Sequence, residues 1–496
     1  MSASDIGSSS PRQVVVANEE SESSSKVFAV LGLAVFLATL DSFIVNIAVP
    51  SIQRGFAGTS VAGVSWVLNA YAIVFAALLV PAGKLGDILG RRRVFAFGLA
   101  TFGLGSALCA AAPSLGFLIG ARVLQGVGAA AVTPTSLGLL LPSIPAARRP
   151  GAIGAWAAIG AVGAASGPPL GGLLTTGLGW HWIFIVNVPL ALIALFASFR
   201  VLPEIRDPAK PPLPDALGTI ILIGAVALAT LGVVQGPRWG WDARVIGCLT
   251  AAVVLAGAFI ARSARHRAPV LELSIVRVRA FALASLSAAL FFAAFSAVLL
   301  GQVLFLTNVW HYSALHAGLA LTPGPIMAAT FARLSGPLAA RYGPGVVGGI
   351  GALVFMLGSG VLWILLIGVH PDYAGEFLPG MLIGGAGIGL ALPAFTIAAT
   401  ATLAPQHLAT GIGAQTMFRQ IGGTLGVAAF VAILGTPRPG SVLAAYNDTR
   451  WFIIAAAAAA GLALMLIRRA PNPARTPANT VGAGLLAPTT AESATE

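Results

Sequence analysis

Apolar runs of about 20 residues recur from Val27 almost to the end of the chain, separated by short segments that hold nearly all of its Lys, Arg, Asp and Glu. A helix of that length rises about 30 Å, the thickness of a bilayer's hydrocarbon core. The runs predict transmembrane helices over 27–49, 65–83, 94–112, 115–141, 151–174, 181–200, 216–235, 244–262, 280–306, 316–339, 345–369, 375–400, 411–434 and 450–468, fourteen spans in all. Such continuous runs exclude a β-barrel, whose strands would alternate apolar and polar positions. The first run is too long for the apolar region of a signal peptide, and Pro50 stands where its helix should end. The Ser-rich stretch 1–26, with Glu19, Glu20 and Glu22, and the Pro-, Thr- and Ala-rich stretch 471–496 predict disordered tails.

Composition agrees: 57% of the 496 residues are hydrophobic and only 9% charged, whereas a water-soluble surface needs about a quarter charged. The net charge of +12 would suggest nucleic acid in a soluble protein. Here the basic residues fall in short loops, most of them on the side of the amino terminus, with Arg54, Arg238, Arg244, Arg438 and Arg450 opposite. By the positive-inside rule this predicts a multi-pass protein with both termini cytoplasmic and no nucleic-acid partner. Cys109 and Cys248 fall within apolar runs and give neither a disulfide framework nor a zinc spacing. The only Gly-Lys pair, Gly83-Lys84, is followed by Leu85 and has no glycine at Leu78, so no phosphate-cradling loop is present. Without a nucleotide motif or a His/Glu metal cluster, an ATP-driven pump or a membrane enzyme is disfavoured, and neither metal nor organic cofactor is expected.

The chain repeats itself. Gly336-Pro-Leu-Ala-Ala-Arg-Tyr-Gly343 has the glycine spacing of Gly83 to Gly90, 253 residues further on, with Ala340 in place of Asp87. A fainter echo pairs Gly154, Gly163 and Gly167 with Gly413, Gly422 and Gly426. This predicts two homologous six-helix halves, 27–200 and 266–470, with two inserted helices and their linkers over 201–265.

Three places carry candidate chemistry. Pro81 to Gly98 is a polar hairpin whose Lys84, Asp87 and Arg91 to Arg93 set a carboxylate among cations at the membrane edge, with Gly83, Gly86 and Gly90 allowing close approach. Asp41 is the one acidic residue well inside a predicted span. A carboxylate there costs about 2.5 to 3.5 kcal/mol on insertion scales, so it faces a cavity, pairs with a cation, or takes up a proton. Burial favours its neutral form and a nearby cation its charged form, so alternating between the two environments would bind and release a proton. Arg122, at similar depth, either pairs with Asp41 or reaches toward the outer interface. The third place is Gly163, Gly167, Pro168, Pro169, Gly171 and Gly172, whose small residues at spacing four let helices meet nearly backbone to backbone. Among other polar or aromatic residues in spans, Gln125, Phe295, Gln302 and Gln415 are candidates to line a substrate cavity.

These motifs resemble the major facilitator superfamily. Gly83, Leu85, Asp87, Gly90, Arg91 and Arg92 match its loop pattern G-x-L-a-D-x-x-G-R-[RK] between the second and third helices. Arg122 to Ala130 resembles its fourth-helix pattern, in which the arginine is implicated in proton transfer, and Gly163 to Gly172 resembles the g-x-x-x-G-P-x-x-G-G of its antiporters. Leu40 to Pro50 and Trp180 to Pro189 look like signatures of its fourteen-span drug:proton antiporters, although His181 replaces the usual arginine. The resemblance covers residues 27–468 and implies an all-α major facilitator fold, fourteen helices as two sixes plus two, in the plasma membrane and monomeric. It implies export of amphipathic, cationic or aromatic drugs in exchange for protons by alternating access, or, as the alternative, export of an endogenous metabolite or lipid. Asp41 and Arg122 would couple protons, Gly83, Asp87, Gly90, Arg91 and Arg92 would form a conformational latch, and the fifth-helix glycines would pack against leak.

Overall fold

A computed structural model describes residues 11–144, 149–206, 212–401, 403, 408–438 and 440–467. The expected tail beyond 470 lies outside these residues. In chain order the long helices are α1 (Pro11–Gly55), α2 (Val61–Leu89), α3 (Arg91–Ala110), α4 (Leu115–Leu140), α5 (Arg149–Gly177), α6 (Trp182–Val201), α7 (Ala216–Trp239), α8 (Ala243–Ser263), α9 (Arg279–Asn308), α10 (Pro323–Tyr342), α11 (Pro344–Leu366), α12 (Tyr373–Thr400), α13 (Leu408–Leu434) and α14 (Val442–Met465). Among the described residues twelve are long and apolar enough to cross a membrane, and α5 and α10 are not among them. Both are of sufficient length, 29 and 20 residues. Glycines and the Pro168-Pro169 pair lower the apolarity of α5, and Arg333 and Arg341 that of α10.

Two expectations at the amino end change. Helix α1 runs through Pro50 to Gly55, because a proline within a membrane helix is tolerated where neighbouring helices take up the freed backbone group. It also reaches back to Pro11, so residues 11–24 continue the helix instead of forming part of a disordered tail. No Gly or Pro interrupts residues 12–31, and extending an existing helix costs far less than nucleating one.

Short polar side chains start several helices. Ser60 Oγ accepts from the Gly63 amide, Ser114 Oγ from Phe117 and Asp215 Oδ1 from Gly218, at 3.2, 3.3 and 2.9 Å, each satisfying a free first-turn donor. Two joints need glycine outright. Gly90 (φ 110°) links α2 to α3 and Gly343 (φ 93°) links α10 to α11, a left-handed conformation that a Cβ disfavours. They are the equivalent closing glycines of the two copies of the repeat, 253 residues apart. The repeat extends to whole elements: Val61–Leu89 maps onto Ala314–Leu321 plus α10, and Arg91–Ala110 onto the start of α11.

Packing follows the same symmetry. Within the first six helices α1 packs on α5, α3 on α4 and α2 on α4; within the last six, α9 packs on α13, α11 on α12 and α10 on α12. Between the groups α2 meets α13, α5 meets the short helix Ala314–Leu321, and α1 meets α9. The pair α7 and α8 pack on each other, and α7 lies against both α2 and α13. Arg262, in the last turn of α8, clamps Asp215 at the start of α7 with Nε 2.8 Å from each carboxylate oxygen.

Candidate functional site

Asp41 on α1 is fully buried, and so is Arg122 on α4. Arg122 Nη1 donates to Asp41 Oδ2 at 2.6 Å and to Gln125 Oε1 at 2.6 Å, while its Nε donates to the Val67 carbonyl on α2 at 3.0 Å. The other carboxylate oxygen accepts from Gln125 Nε2 at 2.8 Å and from Asn187 Nδ2 on α6 at 3.1 Å. Gln125 Nε2 also reaches Ser106 Oγ on α3 at 2.7 Å. The guanidinium lies 4.1 Å over the Tyr71 ring of α2. Five of the first six helices thus converge on one neutral ion pair. Its desolvation is offset by Coulomb attraction and by a filled set of hydrogen bonds, and removing either partner would leave a buried charge uncompensated.

The structure therefore brings Asp41 and Arg122 into direct contact. It also removes Gln125 from the cavity-lining group, since both ends of its amide are consumed by this network. A signal for that existed: Gln125 follows Arg122 by three positions, on the same helical face. Ser106, Asn187 and Tyr71 are members that sequence reasoning missed. Asn187 lies within the sixth-helix signature Trp180 to Pro189, but nothing in that signature marks it as a partner of Asp41.

Behind Asp41, the opposite face of α1 lies on the glycines of α5. A Cβ at Gly167 would stand 2.7 Å from Phe43 Cβ, one at Gly163 2.8 Å from the Phe36 carbonyl, and one at Gly171 2.8 Å from Ile44 Cγ1 and in collision with Ile47 Cγ2. Gly172 faces elsewhere, with a Cβ reaching 2.9 Å from Leu315 Cα of Ala314–Leu321. In the second group Gly422 and Gly426 press α13 onto Ala289 and Ala293 of α9 in the same manner.

In the hairpin, Arg91 Nε and Nη2 both lie 2.8 Å from Asp87 Oδ1, and Arg91 Nη1 donates to the Gly138 carbonyl at the end of α4 at 2.5 Å. This pair ties α2, α3 and α4 together within the first group of helices. A Cβ at Gly86 would stand 2.9 Å from Thr135 Cγ2, closer than side chains approach, whereas one at Gly83 would make ordinary contact with Pro134 Cβ at 3.4 Å. Arg92 and Arg93 face Glu204 at 3.8 and 3.6 Å, beyond α6, an acidic partner not foreseen. Lys84 reaches outside the group, donating to the Pro269 carbonyl at 2.8 Å and lying 3.9 Å from Glu272. Because the Asp87–Arg91 pair is about 30% exposed, Asp87→Asn should cost no more than about 1 kcal/mol of stability. We expect it to slow turnover with little change in substrate affinity, as initial rates against substrate concentration would show; a large affinity loss at normal turnover would refute a conformational role.

The remaining candidates are not gathered. Phe295 joins the two groups, its ring 6.1 Å from Phe43 of α1 and 5.7 Å from Phe292. Gln302 is buried, and Gln415 donates to the Phe395 carbonyl of α12 at 2.8 Å. A cavity of about 360 Å³ opens between the ends of α1 and α9, lined by Ile47, Arg54, Thr307, His311 and Tyr312 among others, and includes none of the four. Arg450 is not in a loop as expected. It is fully buried in α14, 3.5 Å over the Trp363 ring, because the helix begins eight residues earlier than its apolar run.

The Major Facilitator Superfamily profile matches residues 31–427. The multidrug resistance protein Stp of Mycobacterium tuberculosis is 35% identical over 405 residues, 81% of this chain and 74% of that protein. The tetracenomycin C resistance and export protein of Streptomyces glaucescens is 33% identical over 429 residues, 83% and 76%. The probable actinorhodin transporter of Streptomyces coelicolor is 32% identical over 437 residues, 84% and 74%. Among solved structures, an auto-inhibited POT family peptide transporter superposes with a TM-score of 0.66 at 18% identity, covering 91% of this chain and 98% of that one. A D-xylose-proton symporter does so at 0.62 and 15%, covering 88% and 96%. With apolar spanning helices along its length and a family match over most of it, this chain is a multi-pass membrane protein that belongs to the major facilitator superfamily of transporters.

Proposed function

We propose that the protein exports amphipathic drugs or antibiotics across the plasma membrane in exchange for protons, acting as a monomer. Relatives named for multidrug resistance and for antibiotic export support the cargo. The observation that carries the exchange is Asp41, fully buried and held by Arg122, Gln125 and Asn187. In the proposed cycle a proton from outside neutralises Asp41 and dissolves its attraction for Arg122. The conformation that best solvates a lone guanidinium then gains population, and the empty carrier returns inward. Proton and cargo exchange only if each prefers a different conformation; tight binding alone shifts nothing. The hairpin at Asp87 and Arg91, with Lys84 on Pro269, serves the cytoplasmic gate.

The architecture proposed is two six-helix halves, 27–200 and 266–470, with α7 and α8 inserted between them, and fourteen crossings with both termini cytoplasmic. Helices α5 and α10 complete the count: the glycines of α5 serve contact with α1 and with Ala314–Leu321, and α10 packs on α12. In a variant lacking native cysteines, Leu178→Cys should react with an impermeant maleimide on intact cells and Ser143→Cys only in inverted vesicles. Labelling of both from one side would end the fourteen-span reading. The transport reading is tested in inverted vesicles holding a pH gradient: a panel of dyes and antibiotics should include compounds that dissipate it only when the protein is present. Uptake of such compounds with no proton movement would leave an exporter without antiport.

A further inference from the structure

The charges inside the membrane are distributed unequally. Among the described residues of the first six helices the one deeply buried carboxylate, Asp41, is matched by Arg122 and has no exposed surface. In the last six, Arg419 on α13 has neither an ion pair nor a hydrogen bond among the described residues, and its Nε is buried without a partner. Its guanidinium is stacked 4.2 Å over the Phe292 ring of α9. Phe292 adjoins Phe295 at 5.7 Å, and Phe295 adjoins Phe43 of α1 at 6.1 Å. A row of rings thus leads from an unpartnered cation in the second group of helices to the contact with the first. Arg450 also lacks hydrogen-bond partners for its three nitrogens, but it is fully enclosed and lies on Trp363. Arg419 retains partial exposure.

We propose that Arg419, with Phe292, Phe295 and Phe43, forms a binding site for acidic aromatic molecules, whose carboxylate or phenolate pairs with the guanidinium while the ring system lies along the phenylalanines. This names a cargo class for the exporter proposed above and rests on that reading. It keeps the aromatic and drops the cationic member of the cargo class that the family resemblance implied. The carboxylate that would best favour a cationic cargo, Asp41, already accepts from three side chains. Such a cargo would also be repelled by Arg419. An anionic group supplies what the stacked guanidinium lacks, since the face of Phe292 offers it no acceptor and a desolvated guanidinium gains most from a bidentate acid. The ring row supplies the apolar area that positions the rest of the molecule.

The experiment uses the purified full-length protein and two planar aromatic probes, the anion fluorescein and the cation ethidium. Binding is followed by fluorescence polarisation, and export by inverted vesicles carrying the same variants. Fluorescein should bind the wild type, and Arg419→Gln should weaken it by at least about tenfold, the effect of losing a charge-assisted contact. Arg419→Lys should retain part of the affinity, and Arg419→Gln should leave ethidium unchanged or improve it. Equal fluorescein binding by wild type and Arg419→Gln, or none by the wild type while ethidium is bound and exported, would overturn the acidic-cargo assignment and leave the exporter reading standing. Fluorescein bound through Arg419 but never moved by the wild type would keep the site and refute export. Correct insertion of Arg419→Gln is checked by its unchanged elution as a single species, with Arg450→Gln as a control expected to keep fluorescein affinity.

Discussion

Asp41→Asn should abolish cargo-driven proton movement, lowering the rate in inverted vesicles by at least about a hundredfold. The substitution keeps the shape of the side chain but not its charge, so Arg122 remains buried in a site built for an ion pair. Leaving such a charge uncompensated costs about 3 to 5 kcal/mol. The asparagine also places an NH2 group where Gln125 and Asn187 donate at 2.8 and 3.1 Å. A fall in activity could therefore reflect damaged packing, and the double variant Asp41→Asn/Arg122→Gln separates the two causes. It removes both charges together and should recover much of the lost stability, as pairs in direct contact do in double-mutant cycles, while proton movement stays absent. Proton exchange near the wild-type rate in either variant would eliminate Asp41 as the coupling site.

The second large effect is expected at the seam between α1 and α5, where two alanine substitutions should behave differently. Gly163→Ala collides with Thr39 Oγ1 and also sets a methyl group 2.8 Å from the Phe36 carbonyl, a backbone atom that moves only if the helices separate. Overpacking of this kind costs about 1 to 3 kcal/mol, and transport should fall by about tenfold or more. Gly171→Ala meets side chains at the two closest approaches, Ile47 Cγ2 and Ile44 Cγ1, with the Ile44 carbonyl next at 3.0 Å. Its defect should be partly repaired by Ile47→Ala, which removes the closer of the two obstacles, whereas no single side-chain truncation should repair Gly163→Ala. The measurement is the initial transport rate of the three variants normalised to inserted protein. Repair of Gly163→Ala by truncating Thr39 alone would show that its obstacle is the hydroxyl and not the backbone.

Much of the architecture was legible because lipid imposes a simple rule: helix is the way for an apolar run to hide its own amides, so run length reads out span number. The rule weakens where a helix contacts helices more than lipid. On α5 the glycines and the Pro168-Pro169 pair dilute apolarity, and at the start of α14 the segment Tyr446-Asn447-Asp448-Thr449 looks like a loop. Arg450 was misplaced for that reason, since its burial depends on Trp363, far away in the chain. The Asp41–Arg122 contact was permitted by matched depth but not specified by it. Ser106 and Tyr71 gave no sign at all, because a single polar residue in a span carries no spacing from which to infer a partner, and neither did Glu204 in the segment after α6. Gln125 was assigned to the cavity although its position one turn from Arg122 pointed to the ion pair.

The enclosure of Asp41 by helices of the first group alone bears on how the proposed exchange would be enforced. Cargo lying against Phe295 and the proton site would have no atom in common, so neither need evict the other. The antagonism between them must then be transmitted mechanically, and α1 is the available lever: it bears Asp41 on one face and, two residues along, offers Phe43 to Phe295. A change of tilt that frees the carboxylate from Arg122 also displaces Phe43. The stoichiometry of exchange would then be set by the stiffness of one helix, and looseness in α1 would show itself as slippage, with protons and cargo moving independently of each other.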